Sequence, residues 1–288
     1  MSRTWRTSMI NRVAVSTLLL PCAAAQVYVG AALTGTRDPG GAPVLRVLTY
    51  NIHHGEGLDG RLDLARTAAV VSAAAPDLVA LQEVDRGTRR TGGQDQLAEL
   101  ERLTGMHAAF GKAMDYQGGS YGVAVLSRSP IRRVSNRRLP GSPDREPRTA
   151  LSVDVDARAP VGRVQFTTTH LDQGRDLMDQ VAQASYLANA SAGGPEQTSI
   201  LAGDLNTRPD TRTMRILATR WTDMFIDPPL DPGGRPRRRI DYVMVRQSAS
   251  WRTVESRYID APLASDHQPV LVVLEWIGNT AGRGGAAR

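Results

Sequence analysis

Short apolar runs, separated by polar and glycine- or proline-rich segments, dominate the chain from about residue 44 onward. Runs of this length bounded by turn-forming residues predict β-strands. We expect strands over residues 44–50, 77–81, 123–126, 131–139, 151–155, 164–169, 199–202, 240–245 and 270–276. Several of these runs follow one another with no helical segment between them. That order favours sheets of mixed strand direction covered by a few helices.

Four other segments space their apolar residues as a helix does. In the first, Leu64, Ala68 and Val71 fall on one side, and Asp63 stands where a helix N-cap is expected. Helices are predicted over residues 63–74, 94–103, 177–190 and 211–218. No internal repeat and no change of composition divides residues 44–277, so we predict a single α/β domain there.

The first 25 residues have the three parts of an export signal. Three arginines and no acid come first, an apolar run over 13–25 follows, and three alanines precede Gln26. We therefore predict cleavage after Ala25 and a secreted or extracytoplasmic protein. A retained membrane anchor is the alternative, because residues 27–33 are also fairly apolar. Residues 26–43 are predicted to be a linker and residues 278–288 a flexible tail.

Composition narrows the protein class further. The chain of 288 residues is 41% hydrophobic, which excludes a wholly disordered protein. Its single cysteine, Cys22, lies inside the predicted signal, which excludes a disulfide framework and a cysteine-based zinc finger. Removing the signal lowers the net charge from +6 to +3. A charge of that size does not by itself identify a nucleic-acid-binding protein.

Polar residues follow or interrupt the apolar runs where strands are expected to end. They comprise two amides, four carboxylates and two imidazoles: Asn51, Glu83, His170, Asp204, Asn206, Asp241, Asp266 and His267. Taken singly, each could be a turn residue, a loop acid or a structural histidine. Because strand ends can converge on one rim of a sheet, their joint occurrence indicates a shared crevice. Oxygen ligands suit a hard cation such as Mg²⁺, and imidazoles can transfer protons or donate to an oxyanion.

Seven short segments resemble, in order, the signature blocks of the endonuclease/exonuclease/phosphatase superfamily, which includes deoxyribonuclease I, abasic-site endonucleases, neutral sphingomyelinases and inositol polyphosphate 5-phosphatases. They read Thr-Tyr-Asn-Ile at 49–52, Leu-Gln-Glu-Val at 81–84, Tyr-Gly-Val-Ala-Val-Leu-Ser-Arg at 121–128, Thr-His-Leu at 169–171, Gly-Asp-Leu-Asn at 203–206, Ile-Asp-Tyr at 240–242 and Ser-Asp-His at 265–267. The resemblance spans about residues 44–276. It implies the family fold, a four-layer sandwich of two mixed β-sheets packed face to face with helices outside.

The resemblance also implies a metal-dependent phosphoesterase, with Mg²⁺ as the expected ion and Mn²⁺ or Ca²⁺ as alternatives. Glu83 would be the principal metal ligand, with Asn51 and Asp266 beside it. Asp204 would orient or deprotonate the attacking water. Whether one or two metals act, and whether Asp204 is a base or a ligand, stays open at this point.

The remaining roles concern the phosphate. By resemblance, Asn206 would hold a phosphate oxygen, and His267, paired with Asp241, would flank the scissile phosphate together with His170. Charge-stabilising donors placed at those oxygens favour the transition state of phosphoester hydrolysis. Arg148 is a predicted phosphate-binding residue, weighed evenly against a solvated surface arginine.

Three classes of function compete. A nuclease is favoured by the arginines at 237–239 and by the modest basicity, although a solvated loop is the slightly preferred interpretation of the arginine run from Arg235 to Arg239. Aromatic residues total only 5%, which leaves few side chains for stacking bases. A phospholipid or phosphoinositide hydrolase is the alternative, although no hairpin with clustered aromatics is evident. A catalytically dead binding module is disfavoured because the residue set is complete. We expect an exported monomeric phosphodiesterase whose partner is its phosphoester substrate. His53 and His54 are expected at the rim, pointing to opposite faces.

Overall fold

The structure is a computed structural model that describes residues 43–157, 160–174, 176–190, 197–226, 239–246 and 250–278. The predicted signal, almost all of the predicted linker, the arginines at 235, 237 and 238, and the predicted tail beyond residue 278 lie outside the described residues. Within the described part of the chain, every helix is too short or too polar to span a lipid bilayer.

Twelve strands and four helices make up the described residues. In chain order they are β1 (Val44–Asn51), α1 (Leu64–Ala74), β2 (Leu78–Arg86), α2 (Gln96–Thr104), β3 (His107–Tyr116), β4 (Gly119–Ser127), β5 (Ile131–Arg138), β6 (Thr149–Asp156), β7 (Arg163–His170), α3 (Met178–Asn189), β8 (Thr198–Asp204), α4 (Arg212–Leu217), β9 (Thr222–Asp223), β10 (Asp241–Val245), β11 (Trp251–Tyr258) and β12 (Val270–Trp276). The predicted helices and strands all fall on elements of this list.

The strands form two six-stranded sheets. The first has the order β11-β12-β1-β2-β4-β3 and the second the order β5-β6-β7-β8-β10-β9. Each sheet contains one parallel pair at its centre, β1 with β2 and β7 with β8, among otherwise antiparallel neighbours. The two sheets are therefore mixed, and they repeat the same central arrangement.

Three layers of buried apolar residues hold the fold together. The largest lies between the sheets and includes Val47 and Val125 from the first sheet with Phe166 and Ile200 from the second. A second layer packs α1 and α2 on the first sheet, and a third packs α3 and α4 on the second. This arrangement confirms the four-layer sandwich. Burial of so many apolar side chains supplies most of the favourable free energy of folding.

Helix ends follow the sequence signals. The Asp63 carboxylate accepts hydrogen bonds from the backbone N–H groups of Ala65 and Arg66 at the start of α1. Gly105, with a φ of 67°, ends α2 in the left-handed conformation that glycine adopts without steric cost. Both helices are thereby fixed at the residues where the sequence predicts their boundaries.

Three strands were not predicted, and all three lie at sheet edges. They are β3, β9 and β11. In β11 most residues are charged or polar, and all but Trp251 are only half buried or exposed. An edge strand is covered less than a central one, so it needs fewer apolar residues and gives a weaker hydrophobic signal.

Candidate active site

The two parallel strand pairs bring the ends of four strands together. In the first sheet Asn51, the last residue of β1, pairs with Gln82 of β2. In the second sheet His170, the last residue of β7, pairs with Asp204, the last residue of β8. Asp241, at the start of β10, pairs with Asp204 from the other side. Parallel neighbours end at the same edge of a sheet, so these polar side chains converge there.

Glu83 reaches this edge because β2 contains a bulge. The pairing of β2 with β4 shifts its register between Leu81 and Val84, and Glu83 has a φ of 59°. A positive φ is uncommon for a residue with a side chain, and such strain is found at bulges that re-aim a side chain. Asn51 Nδ2 donates to Glu83 Oε1 at 2.9 Å and to Asp204 Oδ2 at 3.2 Å. The Asn51 amide therefore joins the two sheets.

The turn after β8 fixes two further groups. Asp204 Oδ1 accepts a hydrogen bond from the Asn206 backbone N–H at 2.8 Å, and Asn206 has a φ of 48°. Asn206 Nδ2 donates to the Leu171 carbonyl at 3.0 Å and lies 2.9 Å from His170 Nε2. A carbonyl can only accept, so the amide presents its N–H groups to both atoms. His170 Nε2 then accepts, and the ring proton is assigned to Nδ1.

His267 completes the cluster from the loop before β12. Its Nδ1 lies 3.2 Å from Asp241 Oδ2, and its Nε2 lies 3.7 Å from Asp204 Oδ2. The Ser265 hydroxyl donates to the Asn51 carbonyl at 2.7 Å and accepts from the His267 backbone N–H at 3.1 Å. Ser265, for which no role was predicted, therefore anchors the His267 loop to the end of β1.

Burial and mutual charge shift the titration of the carboxylates. Burial, reinforced by the nearby charge of Asp241, raises the pKa of Asp204 to about 7. Burial also raises the pKa of Asp241, against the lowering effect of its hydrogen bond with His267. Burial alone would lower the pKa of His267, but the carboxylates of Asp241, Asp204 and Asp266 outweigh it and raise the value to about 9. His267 is therefore an imidazolium at neutral pH.

His170 behaves in the opposite way. Burial, together with the positive charges of Arg148 and His267, lowers the pKa of His170 well below its usual value. The two histidines thus differ in charge: His267 is cationic and His170 is neutral. With its proton on the buried Nδ1, neutral His170 presents Nε2 to the site as an acceptor.

Comparison with known proteins identifies the family. The model of the endonuclease/exonuclease/phosphatase family matches residues 48–267, which is most of the chain. The chain belongs to the endonuclease/exonuclease/phosphatase family. Members of this family are metal-dependent phosphoesterases, including nucleases and phosphatases.

Solved structures support the same assignment. An endonuclease/exonuclease/phosphatase from Beutenbergia cavernae is 28% identical with a TM-score of 0.66, and the match covers 81% of this chain and 72% of that one. The mannosyl-6-phosphatase Bt3783 of Bacteroides thetaiotaomicron is 18% identical with a TM-score of 0.60, covering 81% and 100%. The human Nocturnin catalytic domain is 18% identical with a TM-score of 0.62, covering 82% and 95%. The latter two show similarity of fold alone. No curated protein matches the sequence significantly.

The donor set of this family member fits a divalent cation. Ligand atoms of Asp204, Asp241 and His267 all lie within 4.8 Å of one another. Asp241 Oδ1 is buried and has no hydrogen-bond partner among the described residues. Burial is the main cause of the raised pKa values of the two aspartates, and a hard cation bound by these oxygen atoms would compensate for the water that they have lost. Glu83 and Asn51 adjoin this group through Asp204.

Asp266 stands apart from the metal shell implied by the resemblance. Its carboxylate is exposed, with Ser265 Oγ at 3.4 Å and His53 Nδ1 at 3.9 Å. Among the described residues no hydrogen bond links it to Glu83 or Asn51, but its charge helps to raise the pKa of His267. The structure therefore places Asp266 at the rim of the cluster that the other seven strand-end residues form, and its role as a metal ligand stays a prediction.

Arg148 lies behind His170. The Arg148 guanidinium is buried and its Nη1 lies 2.8 Å from Glu146 Oε1. With Tyr121 and His170 it lines a cavity of about 10 Å³, close to the volume that one water requires. Arg148 Nε and His170 Nδ1 are both buried without a hydrogen-bond partner among the described residues. In this geometry Arg148 acts on His170 by charge, and its predicted contact with phosphate stays a prediction.

Two polar residues near the site had no predicted role. The Tyr121 side chain is buried in β4, and burial together with the charges of Glu83 and Glu146 raises its pKa, so it stays a phenol. Tyr121 opens the third family block, and Glu146 directly precedes Pro147 and Arg148. These positions in the sequence were the only signals that Tyr121 and Glu146 lie near the site.

The adjacent histidines lie in a turn, which corrects the expectation of an extended chain. His53 and His54 have φ values of 45° and 44° within a short 3₁₀ turn, and their rings pack edge to face with centroids 4.5 Å apart. The His53 backbone N–H donates to Asn51 Oδ1 at 3.0 Å. The turn therefore orients the Asn51 amide, and its two side chains do not point to opposite faces.

Proposed function

We propose that the protein is an exported, Mg²⁺-dependent hydrolase of phosphoester bonds that acts on phosphodiesters as a monomer. The observation that supports this most directly is the hydrogen-bonded cluster in which Asn51 links Glu83 to Asp204, and Asp204 adjoins both His170 and His267. The cluster combines oxygen ligands for a cation with one charged and one neutral imidazole. Export is inferred from residues 1–25 and is independent of this geometry.

A divalent cation held by Glu83, Asn51 and their neighbours would supply positive charge at the phosphate oxygens. Asp204, with a pKa near 7, is suited to accept a proton from the attacking water. The Asn206 N–H fixes Asp204 Oδ1, which leaves Oδ2 to face the reaction centre. Of the roles left open by the sequence, we therefore assign Asp204 that of base.

His267 would stabilise charge that develops on the phosphate. Asp241 holds His267 Nδ1, so the Nε2–H of the imidazolium is the group free to donate to a phosphate oxygen. For His267 to act in this way, Asp241 must orient its ring and keep it protonated. His170, on the other side of Asp204, accepts the Asn206 amide at Nε2 and so positions Asn206.

The position of Arg239 weakens the hypothesis that the substrate is a nucleic acid. Arg239, the one described residue of the predicted arginine run, is buried and donates from Nη1 to Asp223 Oδ1 at 2.9 Å. Its guanidinium also lies over the rings of Phe225 and Tyr242. An arginine used in this way stabilises the fold and does not contact a polyanion. Hydrolysis of a phospholipid therefore gains weight as the second candidate function.

The test is hydrolysis of bis(p-nitrophenyl) phosphate, plasmid DNA, RNA, sphingomyelin and a phosphoinositide, each with Mg²⁺ and with EDTA. We expect Mg²⁺-dependent cleavage of the soluble diester and of at least one natural substrate, with loss of cleavage in EDTA. Asp204→Asn is the inactive control. Activity that persists in EDTA, or an Asp204→Asn protein as active as wild type, would contradict the proposal.

A further inference from the structure

We propose that three exposed leucines beside the site, Leu58, Leu62 and Leu263, form a surface that docks on a phospholipid bilayer. This apolar rim would bring phosphoesters of the bilayer surface to the cluster, so its catalytic consequence rests on the proposed function. The exposed fractions of the three residues are 68%, 46% and 53%. Large apolar side chains left this open next to a site mark an interaction surface.

The apolar rim adjoins the catalytic cluster through the chain itself. Leu58 and Leu62 belong to the loop that follows β1 and contains His53, and Leu263 precedes Asp266 in the loop before β12. His53 Nδ1 and Asp266 Oδ1 approach to 3.9 Å. The same two loops therefore carry both the leucines and the edge of the site.

The two loops are held rigidly against each other. The Leu58 N–H donates to the Pro262 carbonyl at 2.9 Å, and Arg66 Nη1 donates to the Leu263 carbonyl at 2.9 Å. A Cβ atom at Gly57 would lie 2.2 Å from the Leu263 carbonyl oxygen, so only glycine allows this approach. The leucines are thus held outward by fixed backbone. Preorganised side chains lose little conformational entropy on docking.

A second exposed apolar pair lies on another loop of the site. Leu177 and Met178 open α3, and their exposed fractions are 37% and 74%. In the same first turn, Gln180 Nε2 donates to the carbonyls of Asp172 and Asn206. Five of the ten exposed large apolar residues among those described therefore lie on the two loops of the rim or at the start of α3. Such a distribution would let the mouth of the site face an apolar phase.

The chemistry of the apolar rim favours lipid over other partners. Nucleic-acid strands are held by aromatic stacking and phosphate contacts, and the rim has no aromatic ring. Protein interfaces concentrate their binding energy in tryptophan, tyrosine and arginine, whereas leucine is under-represented there. Three aspartates, Asp59, Asp260 and Asp266, are exposed around the rim against one exposed arginine, Arg61, so acidic charge opposes the approach of a nucleic acid or of an anionic lipid surface. Docking should therefore occur on zwitterionic lipid.

The first test locates the contact without turnover. Leu58→Trp and, as matched control, Val134→Trp are mixed with phosphatidylcholine vesicles containing brominated lipid, in EDTA. Val134 is 52% exposed on the edge strand β5 of the other sheet. We expect a blue shift and quenching for Leu58→Trp above the wild-type background, and none for Val134→Trp. Equal signals from the two variants would overturn the proposal.

The second test measures docking energetics. Each Leu→Ser change in the apolar rim should lower vesicle partitioning about tenfold, since one buried leucine side chain corresponds to roughly that factor. Val134→Ser should leave partitioning and activity unchanged. The triple rim variant should lose hydrolysis of vesicle lipid relative to the soluble diester. Undiminished partitioning of the triple variant, or wild-type self-association that this variant abolishes, would overturn docking on lipid. Failure to cleave the soluble diester with Mg²⁺ would instead contradict the proposed function.

Discussion

Replacing Asp204 with asparagine should abolish hydrolysis and, in the absence of metal, stabilise the fold at alkaline pH. Burial and the nearby Asp241 raise the pKa of the Asp204 carboxyl from 3.8 to about 7. A carboxyl whose pKa is raised by folding is favoured in its protonated form. Ionisation therefore costs nothing below pH ~4, increasingly destabilises the native state up to pH ~7, and has its full effect above that. Asparagine carries no charge, so the variant does not lose stability as the pH rises.

The size of the effect follows from the shift. One pKa unit corresponds to about 1.4 kcal/mol, so a rise of roughly three units gives an upper limit of ~4 kcal/mol above pH 7. At pH 5 only about one unit of the pKa shift has taken effect. About 2.5 kcal/mol of destabilisation therefore develops between pH 5 and pH 8. The attraction to the imidazolium of His267 and the hydrogen bond from Asn51 are already contained in this pKa. Relaxation of the protein and water around the buried charge lowers the figure further. We expect a difference of about 1–2 kcal/mol.

Thermal unfolding in EDTA at pH 5 and pH 8 measures this difference. For a domain of this size each kcal/mol shifts Tm by about 2–4 °C, so the Tm of Asp204→Asn relative to wild type should be about 2–8 °C higher at pH 8 than at pH 5. The exposed Asp115 provides the control, because Asp115→Asn should show no such pH dependence. Saturating Mg²⁺ should reverse the order by stabilising wild type more. An equal Tm difference at both pH values would refute the electrostatic reasoning.

Three further substitutions separate the remaining roles. Glu83→Gln should raise the Mg²⁺ concentration for half-maximal hydrolysis about 10–100-fold, measured by metal titration, while Glu101→Gln on the outside of α2 changes nothing. His267→Ala should reduce kcat for the soluble diester about 10²–10³-fold, as loss of one charge-stabilising donor does, and a reduction no larger than that of the exposed His107→Ala would contradict its role. Arg239→Ala should lower the free energy of unfolding by about 3 kcal/mol in urea titrations, because it leaves a partly buried carboxylate unpaired, yet keep the substrate preference of the folded enzyme. A changed preference for DNA over lipid would contradict this expectation and indicate that Arg239 contacts the substrate.

The sequence predicted the central strands and the strand-end residues for the same reason. A central strand is buried on both faces and reads as a continuous apolar run, so the polar residue that ends it stands out. Asn51, His170 and Asp204 were found in this way, and each is the last residue of its strand. Three of the four edge strands, β3, β9 and β11, gave no comparable contrast and were missed.

Features that depend on local backbone geometry were beyond the sequence. The bulge that turns Glu83 toward Asn51 leaves no pattern of residue types, and neither does the 3₁₀ turn at His53. Tyr121 lies within an apolar strand, so its proximity to Glu146 and Arg148 emerges only when β4 packs beside that segment. Asp266 adjoins His267 in sequence, yet its carboxylate faces the rim.

The pairing of β1 with β12 joins the first strand of the domain to the last. Asn51 and His267 meet only through that pairing, with Ser265 bridging them. During synthesis, a ribosome-bound chain that still lacks the final strand cannot assemble the reaction centre, however well its earlier parts have folded. The reaction centre therefore forms only after nearly all of the domain has emerged.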